Sequence, residues 1–128
     1  MAVVQRARVP GSRRLVWIVV GEDHLPVAPI HRFLAYLDDI ERSPNTIRAY
    51  AHHLKVFWDY LAWARLDWTE VGLTEHARFM AWLRRRDPDV VPSAARRRES
   101  TINTILAAAN SFYEFHAELR QTRSTLAS

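Results

Sequence analysis

Cysteine is absent from the 128 residues, which excludes a disulfide framework, a thiol nucleophile and any thiolate-bound metal, and suits a reducing cytoplasm. Glycine is nearly as scarce: Gly11, Gly21 and Gly72 stand alone, so no glycine-rich phosphate loop can be built. The longest apolar run, residues 15–20, falls far short of the roughly 20 residues that a membrane-spanning helix needs, and no small-residue cleavage site follows it. Lysine occurs once, at Lys55, so 17 of the 18 basic residues are arginine. What remains is ordinary for one folded domain, with 48% hydrophobic and 25% charged residues and a formal net charge of +4. Arginine presents a planar fork of donors suited to phosphates and base edges. A GC-rich gene would give the same excess, so the placement of the charges carries more meaning than their number.

Along the chain, residues 1–14 show no clear periodicity and are expected to form a flexible arm. Residues 15–20 are β-branched and aromatic and read as a short extended segment ending at Gly21. After Pro26 and Pro29, apolar positions Ile30, Phe33, Leu34, Leu37 and Ile40 recur at helical spacing, predicting a first helix to about Arg42. Ser43-Pro44 is a hydroxyl cap followed by a proline suited to the first turn. The second helix then runs to about Arg65 on the stripe Ile47, Tyr50, Ala51, Leu54, Phe57, Trp58 and Leu61. Asn45, Arg48, His52, Lys55 and Asp59 form its outer stripe. Thr74 is expected to cap a third helix with Phe79, Met80 and Leu83 inward, ending near Arg86. Residues 87–95, with Pro88 and Pro92, are expected to form a loop, and Ser100 is expected to cap a fourth helix with Ile102, Ile105, Leu106, Ala109, Phe112, Tyr113 and His116 on one face. Residues 121–128 read as a frayed end or the start of a linker. The whole predicts a compact all-α bundle of four helices with a short N-terminal extended segment.

Enzymatic chemistry finds little purchase. The histidines His24, His31, His52, His53, His76 and His116 contain no pair at helical metal-ligand spacing, and the adjacent His52 and His53 point about 100° apart on a helix. The acidic cluster Asp38, Asp39 and Glu41 reads as a solvated face. Neither a metal, a cofactor nor a small-molecule substrate is expected. The basic segments offer more: Arg84, Arg85 and Arg86 end the third helix and Arg96, Arg97 and Arg98 lead into the fourth, flanking one loop. Arginines converging on a helix N-terminus favour an anion there, because free N–H groups and the helix dipole add to their charge. In a basic domain the commonest such anion is a nucleic-acid phosphate. The outer stripe residues Asn45, Arg48, His52 and Lys55 could touch the same backbone. Asn103, Thr104, Ala107, Ala108, Asn110 and Ser111 form a second face of the fourth helix, small enough to approach either a groove or another helix.

The opening of the second helix, Ser43-Pro44-Asn45-Thr46-Ile47-Arg48-Ala49-Tyr50-Ala51-His52-His53-Leu54-Lys55-Val56-Phe57, resembles the Ser-x-x-Thr-x-x-x-Tyr-x-x-x-Leu-x-x-Phe signature of the N-terminal core-binding (SAM-like) domain of tyrosine recombinases, the phage-integrase family. Ser100-Thr101-Ile102-Asn103 and Ser111-Phe112-Tyr113-Glu114-Phe115 resemble that domain's last helix, and Leu66-Asp67-Trp68 is similar to transposon-type integrases of the family. The resemblance covers roughly residues 15–120. It implies a four-helix domain that clamps one side of duplex DNA, while a separate C-terminal domain supplies a nucleophilic tyrosine with arginines, a lysine and histidines about the transferring phosphoryl. This chain holds no His-x-x-Arg, and Tyr36, Tyr50, Tyr60 and Tyr113 fall in helical patterns, so it is expected not to be an enzyme by itself. The family's contacts carry over to Ser43, Asn45, Thr46 and Arg48 on the second helix and to Arg97, Arg98, Ser100, Thr101 and Asn103 at the fourth. Double-stranded DNA is the implied partner, with homo-oligomers forming on it. The rival reading is a protein-interaction module whose arginines meet an acidic partner.

Overall fold

The computed structural model describes residues 1–8, 11, 15–85 and 99–127. Its elements are strands β1 (Val3–Arg8) and β2 (Leu15–Val20) and helices α1 (Ala28–Asp39), α2 (Pro44–Ala64), α3 (Leu73–Arg84) and α4 (Glu99–Ala127), with one turn of 3-10 helix at Trp68–Glu70. The four expected helices are present, but the domain is not strictly all-α. β1 and β2 pair antiparallel, in register from Val3 opposite Val20 to Arg8 opposite Leu15. Residues 3–8 are therefore a strand, where a flexible arm was expected. An isolated two-stranded ribbon is marginal in water, so the helices must hold this one. Val19 is fully buried against them and Ala2 nearly so. The Ala2 amide donates to Asp59 Oδ1 of α2 at 2.8 Å, and the Val27 amide donates to the Val19 carbonyl at 2.8 Å.

The shortage of glycine shows at the helix ends. α1 and α2 both close with a reversal in which a left-handed residue turns the chain, at Glu41 with φ 63° and Arg65 with φ 56°. The Arg42 amide reaches back to Leu37 O at 3.0 Å, and the Leu66 amide reaches back to Leu61 O at 2.9 Å, satisfying carbonyls that the helices leave open. Glycine would adopt these conformations without the cost a Cβ incurs. At its start α2 is capped as its sequence predicts, the Thr46 amide donating to Ser43 Oγ at 3.2 Å. α3 departs from expectation. Gly72 is its cap residue, its amide donating to Glu75 Oε1 at 3.3 Å, while Thr74 lies within the first turn. Trp82 takes the inward place expected of Met80, which is half-buried. Ser100 is not a cap either, because Glu99 is already helical. α4 continues to Ala127, beyond the frayed end expected over residues 121–128.

α2 and α4 run antiparallel through two cores. One gathers the hairpin, α1, the first half of α2 and Phe112 of α4, with Ile30, Phe33, Leu37, Ala51 and Leu54 buried. The other joins the second half of α2 to α3 and the start of α4 through Phe57, Tyr60, Phe79, Leu83, Ile102 and Ile105. Trp58, Trp68 and Tyr113 pack against both. The Tyr113 hydroxyl donates to the Trp68 carbonyl at 2.6 Å, tying the connector to α4.

Candidate nucleic-acid interface

The exposed opening of α2 presents Ser43, Asn45 and Arg48, with Thr46 half-buried and its hydroxyl 2.9 Å from Ser43 Oγ. Thr46 thus serves the cap of its own helix. Farther along, the outer stripe meets the hairpin. Trp17, directly opposite Arg6 in the strand register, lies with its ring centroid 5.1 Å from the Arg6 guanidinium and 5.4 Å from that of Arg48. The His52 ring lies 6.4 Å from the same indole. Cations over an indole gain about 0.5–1 kcal/mol each at exposed sites, enough to bias their orientation. Asp59, expected on the solvated stripe, is buried instead, because the N-terminus crosses over it. Its carboxylate takes the Ala2 amide on one oxygen and Lys55 Nζ, at 2.5 Å, on the other.

These contacts change the electrostatic account of the stripe. Partial burial pushes the His52 pKa down, and the neighbouring charges of Arg48 and Lys55 push it the same way. Burial and His52 do the same to His53. In the free domain both imidazoles are thus held below the ordinary histidine range and are mostly uncharged at pH 7. Lys55 is committed to Asp59. Arg48 is therefore the stripe's unneutralised cation among the described residues, joined by Arg6, a residue the sequence reading missed. The signal for Arg6 was the Pro10-Gly11 turn dipeptide between two short runs, weaker than any helical period.

At the other end of the molecule, Ser100, Thr101 and Asn103 lie exposed on the first turns of α4. The Thr104 hydroxyl donates to the Ser100 carbonyl at 2.8 Å, and Thr104, Ala107 and Asn110 are exposed beside Asn103. Ala108, expected on this face, is buried. Arg84 donates from Nε and Nη2 to the two carboxylate oxygens of Glu99, both at 3.2 Å, tying the end of α3 to the start of α4. Arg86, Arg96, Arg97 and Arg98 lie outside the described residues. Because α2 and α4 are antiparallel, with Phe57 against Tyr113 at 5.8 Å and Trp58 against Phe112 at 6.0 Å, the α4 opening lies toward the C-terminal end of α2 and away from Ser43. The structure thus gathers Arg48 and His52 about Trp17, and holds Ser100, Thr101 and Asn103 apart from them.

The tyrosines all make ring contacts within the fold. Tyr60 is buried, Tyr50 meets Phe33 edge-on with centroids 5.5 Å apart, and Tyr36 packs on Phe115 at 4.9 Å. Burial raises the pKa of Tyr60 and Tyr113, opposing the phenolate that nucleophilic attack would require. Among the described residues no group of three or more His, Asp or Glu side chains could hold a metal ion, and no helix is long and apolar enough to cross a membrane.

His116 joins α4 to α1, its Nε2 lying 2.9 Å from the Pro29 carbonyl at a cleft of about 190 Å³ edged by Arg32 and Arg120. Burial lowers its pKa, the Pro29 bond opposes this, and the two arginines lower it further. A histidine whose folded pKa lies below its unfolded value stabilises the fold while neutral. Stability is level above the ordinary value of 6.5 and falls as pH drops through it toward the folded pKa. His52 and His53 act in the same sense. Asp67, held low by hydrogen bonds from Thr69, loses its contribution only as pH falls below 3.8, outside this window. Thermal unfolding measured from pH 8 to pH 5 is expected to show a falling Tm below about pH 6.5. His116→Gln, which keeps a donor for Pro29 but does not titrate, is expected to flatten the fall.

Residues 30–119 match the family model of the phage integrase N-terminal SAM-like domain. The chain is also 30% identical over 125 residues to transposase A from transposon Tn554 of Staphylococcus aureus, in strains Mu50 and N315 alike. That similarity covers 94% of this chain and 35% of each relative, so the chain spans about a third of the length of the curated relatives it matches. No solved structure matches it. A capped second helix carrying the Ser-Thr-Tyr-Leu-Phe spacing, set against a long last helix, is thus matched at the level of the whole domain, and the chain belongs to the phage-integrase family of tyrosine recombinases, in its N-terminal SAM-like domain.

Proposed function

We propose that this domain binds duplex DNA in a recombinase-type integrase or transposase acting in the cytoplasm, and that strand cleavage is performed by residues outside it. The observation that carries this reading is the opening of α2, where family membership coincides with an exposed Asn45 and an Arg48 guanidinium without an acidic partner among the described residues. Arg48 contacts the phosphate backbone and Asn45 lies near enough to share it. Ser43, Thr46, His52 and Lys55 border that contact. Ser100, Thr101 and Asn103 form a second contact toward the far end of α2, reinforced by Arg96, Arg97 and Arg98. Two separated contacts suit a protein that lies along a duplex and is positioned by its backbone phosphates. The relatives' name, transposase, agrees with DNA as the partner. Homo-oligomers would form on DNA, as in the family.

Fluorescence anisotropy of a labelled duplex of about 30 base pairs tests the proposal. With roughly three to five phosphates contacted, log affinity falls with log salt at a slope of about −3 to −5. The variant Arg96→Glu/Arg97→Glu/Arg98→Glu is expected to bind weakly and with a shallower slope. Absence of binding at low salt would overturn the proposal in favour of an acidic protein partner.

A further inference from the structure

The hairpin lies down the face of α2 that the sequence assigns to the exterior. Its placement is fixed at two points: the Ala2 amide on Asp59, and Trp17 with its strand partner Arg6 against Arg48. From Ala2 to Arg6 a strand advances about 14 Å, and from Asp59 back to Arg48 a helix covers about 16 Å. The two lengths agree to within a residue, so β1 runs antiparallel along the stripe. The hairpin therefore replaces the middle of that stripe as outer surface. Of the stripe's own charges, Lys55 is neutralised by Asp59, while the hairpin brings Arg6 and Arg8, both exposed.

Resting on the DNA-binding reading above, we infer that the N-terminal hairpin is part of the duplex interface, with Trp17 a positioning residue that presents Arg6 and Arg48 as a pair to the phosphate backbone. Among the described residues neither guanidinium forms an ion pair. An arginine held over an indole keeps its in-plane N–H donors for an acceptor and has fewer conformations to lose on binding, which suits a phosphate oxygen. The indole meanwhile packs against the core cluster that includes Val19 and Leu54.

The same 30-base-pair duplex distinguishes this inference from the reading it rests on. Arg6→Ala is expected to weaken binding roughly 3- to 10-fold at 0.1 M salt and to reduce the salt slope by about 1. Arg120→Ala, which removes an equal charge from an exposed site on α4, is the control and is expected to change affinity much less. Trp17→Leu removes no charge yet is expected to weaken binding, and Trp17→Phe to restore most of it. Unchanged Tm and amide-exchange protection of residues 3–8 in Arg6→Ala verify that the hairpin stays docked. Wild-type binding with Arg6→Ala no weaker than Arg120→Ala would overturn the inference and leave the DNA-binding reading standing. Absence of wild-type binding would overturn both.

Discussion

Phe112→Ala is expected to destabilise the domain by about 3–5 kcal/mol, a large share of the roughly 5–15 kcal/mol that holds a domain of ordinary stability together. Phe112 is fully buried and is the ring on which three other elements converge. Its centroid lies 6.0 Å from Phe33 of α1, 6.0 Å from Trp58 of α2 and 5.5 Å from Trp68 of the connector, each contact edge-on. His116, one turn along α4, closes the group at 4.7 Å. Truncation removes the transfer free energy of the ring and leaves a void among side chains anchored on four different elements, which limits collapse into it. Phe112→Leu is expected to recover part of the loss. Urea unfolding checks both, and a lowered midpoint with an unchanged denaturant dependence would identify the effect as native-state packing.

Asp59→Ala is expected to release the hairpin while sparing the helices. The carboxylate is the one α2 group that both anchors the chain at Ala2 and neutralises Lys55. Removing it leaves a buried amide without an acceptor, at a cost of about 1–3 kcal/mol. Lys55 is 30% exposed and can turn its ammonium to water, so the larger penalty of a stranded buried charge does not apply. Amide exchange of residues 2–8 should accelerate roughly 5- to 150-fold, the factor that corresponds to this cost, while α2 and α4 retain their protection. Asp59→Asn keeps an acceptor for Ala2 and should lie between the two. If the hairpin belongs to the duplex interface, Asp59→Ala also weakens DNA binding without altering any residue on the contact surface. Equal exchange of residues 2–8 in the variant and wild type would show that β1 is held mainly by its pairing to β2.

The helices were legible because their signals are local. Ile30, Phe33, Leu34 and Leu37 repeat at the period of a helix, and Ser43-Pro44 marks a start that the structure reproduces atom for atom in the bond from Thr46 to Ser43. The inward placement of Phe57, Phe112 and His116 follows from the same period. Boundaries were less legible where a residue competes with its neighbour for one role, as at Gly72, where the cap depends on Glu75 reaching back and not on the hydroxyl of Thr74. The left-handed turns at Glu41 and Arg65 carried no glycine to announce them. Of the proposed interface, the α2 opening was readable from its spacing. Arg6, Trp17 and the burial of Asp59 were not.

What the sequence determined by itself was the number and order of the helices, their apolar faces and the family signature along α2, because each of these lies within a few turns of continuous chain. What only the tertiary structure decided was the fate of the outer stripe of α2. Residues 3–8 have too little apolar alternation to specify a strand, and they become one by pairing with β2 and docking on a helix more than 50 residues away through Ala2 and Asp59. Such a contact has no local period. Its stability comes from burying Val19 and satisfying one amide and one carboxylate together, terms that exist only when both segments are in place.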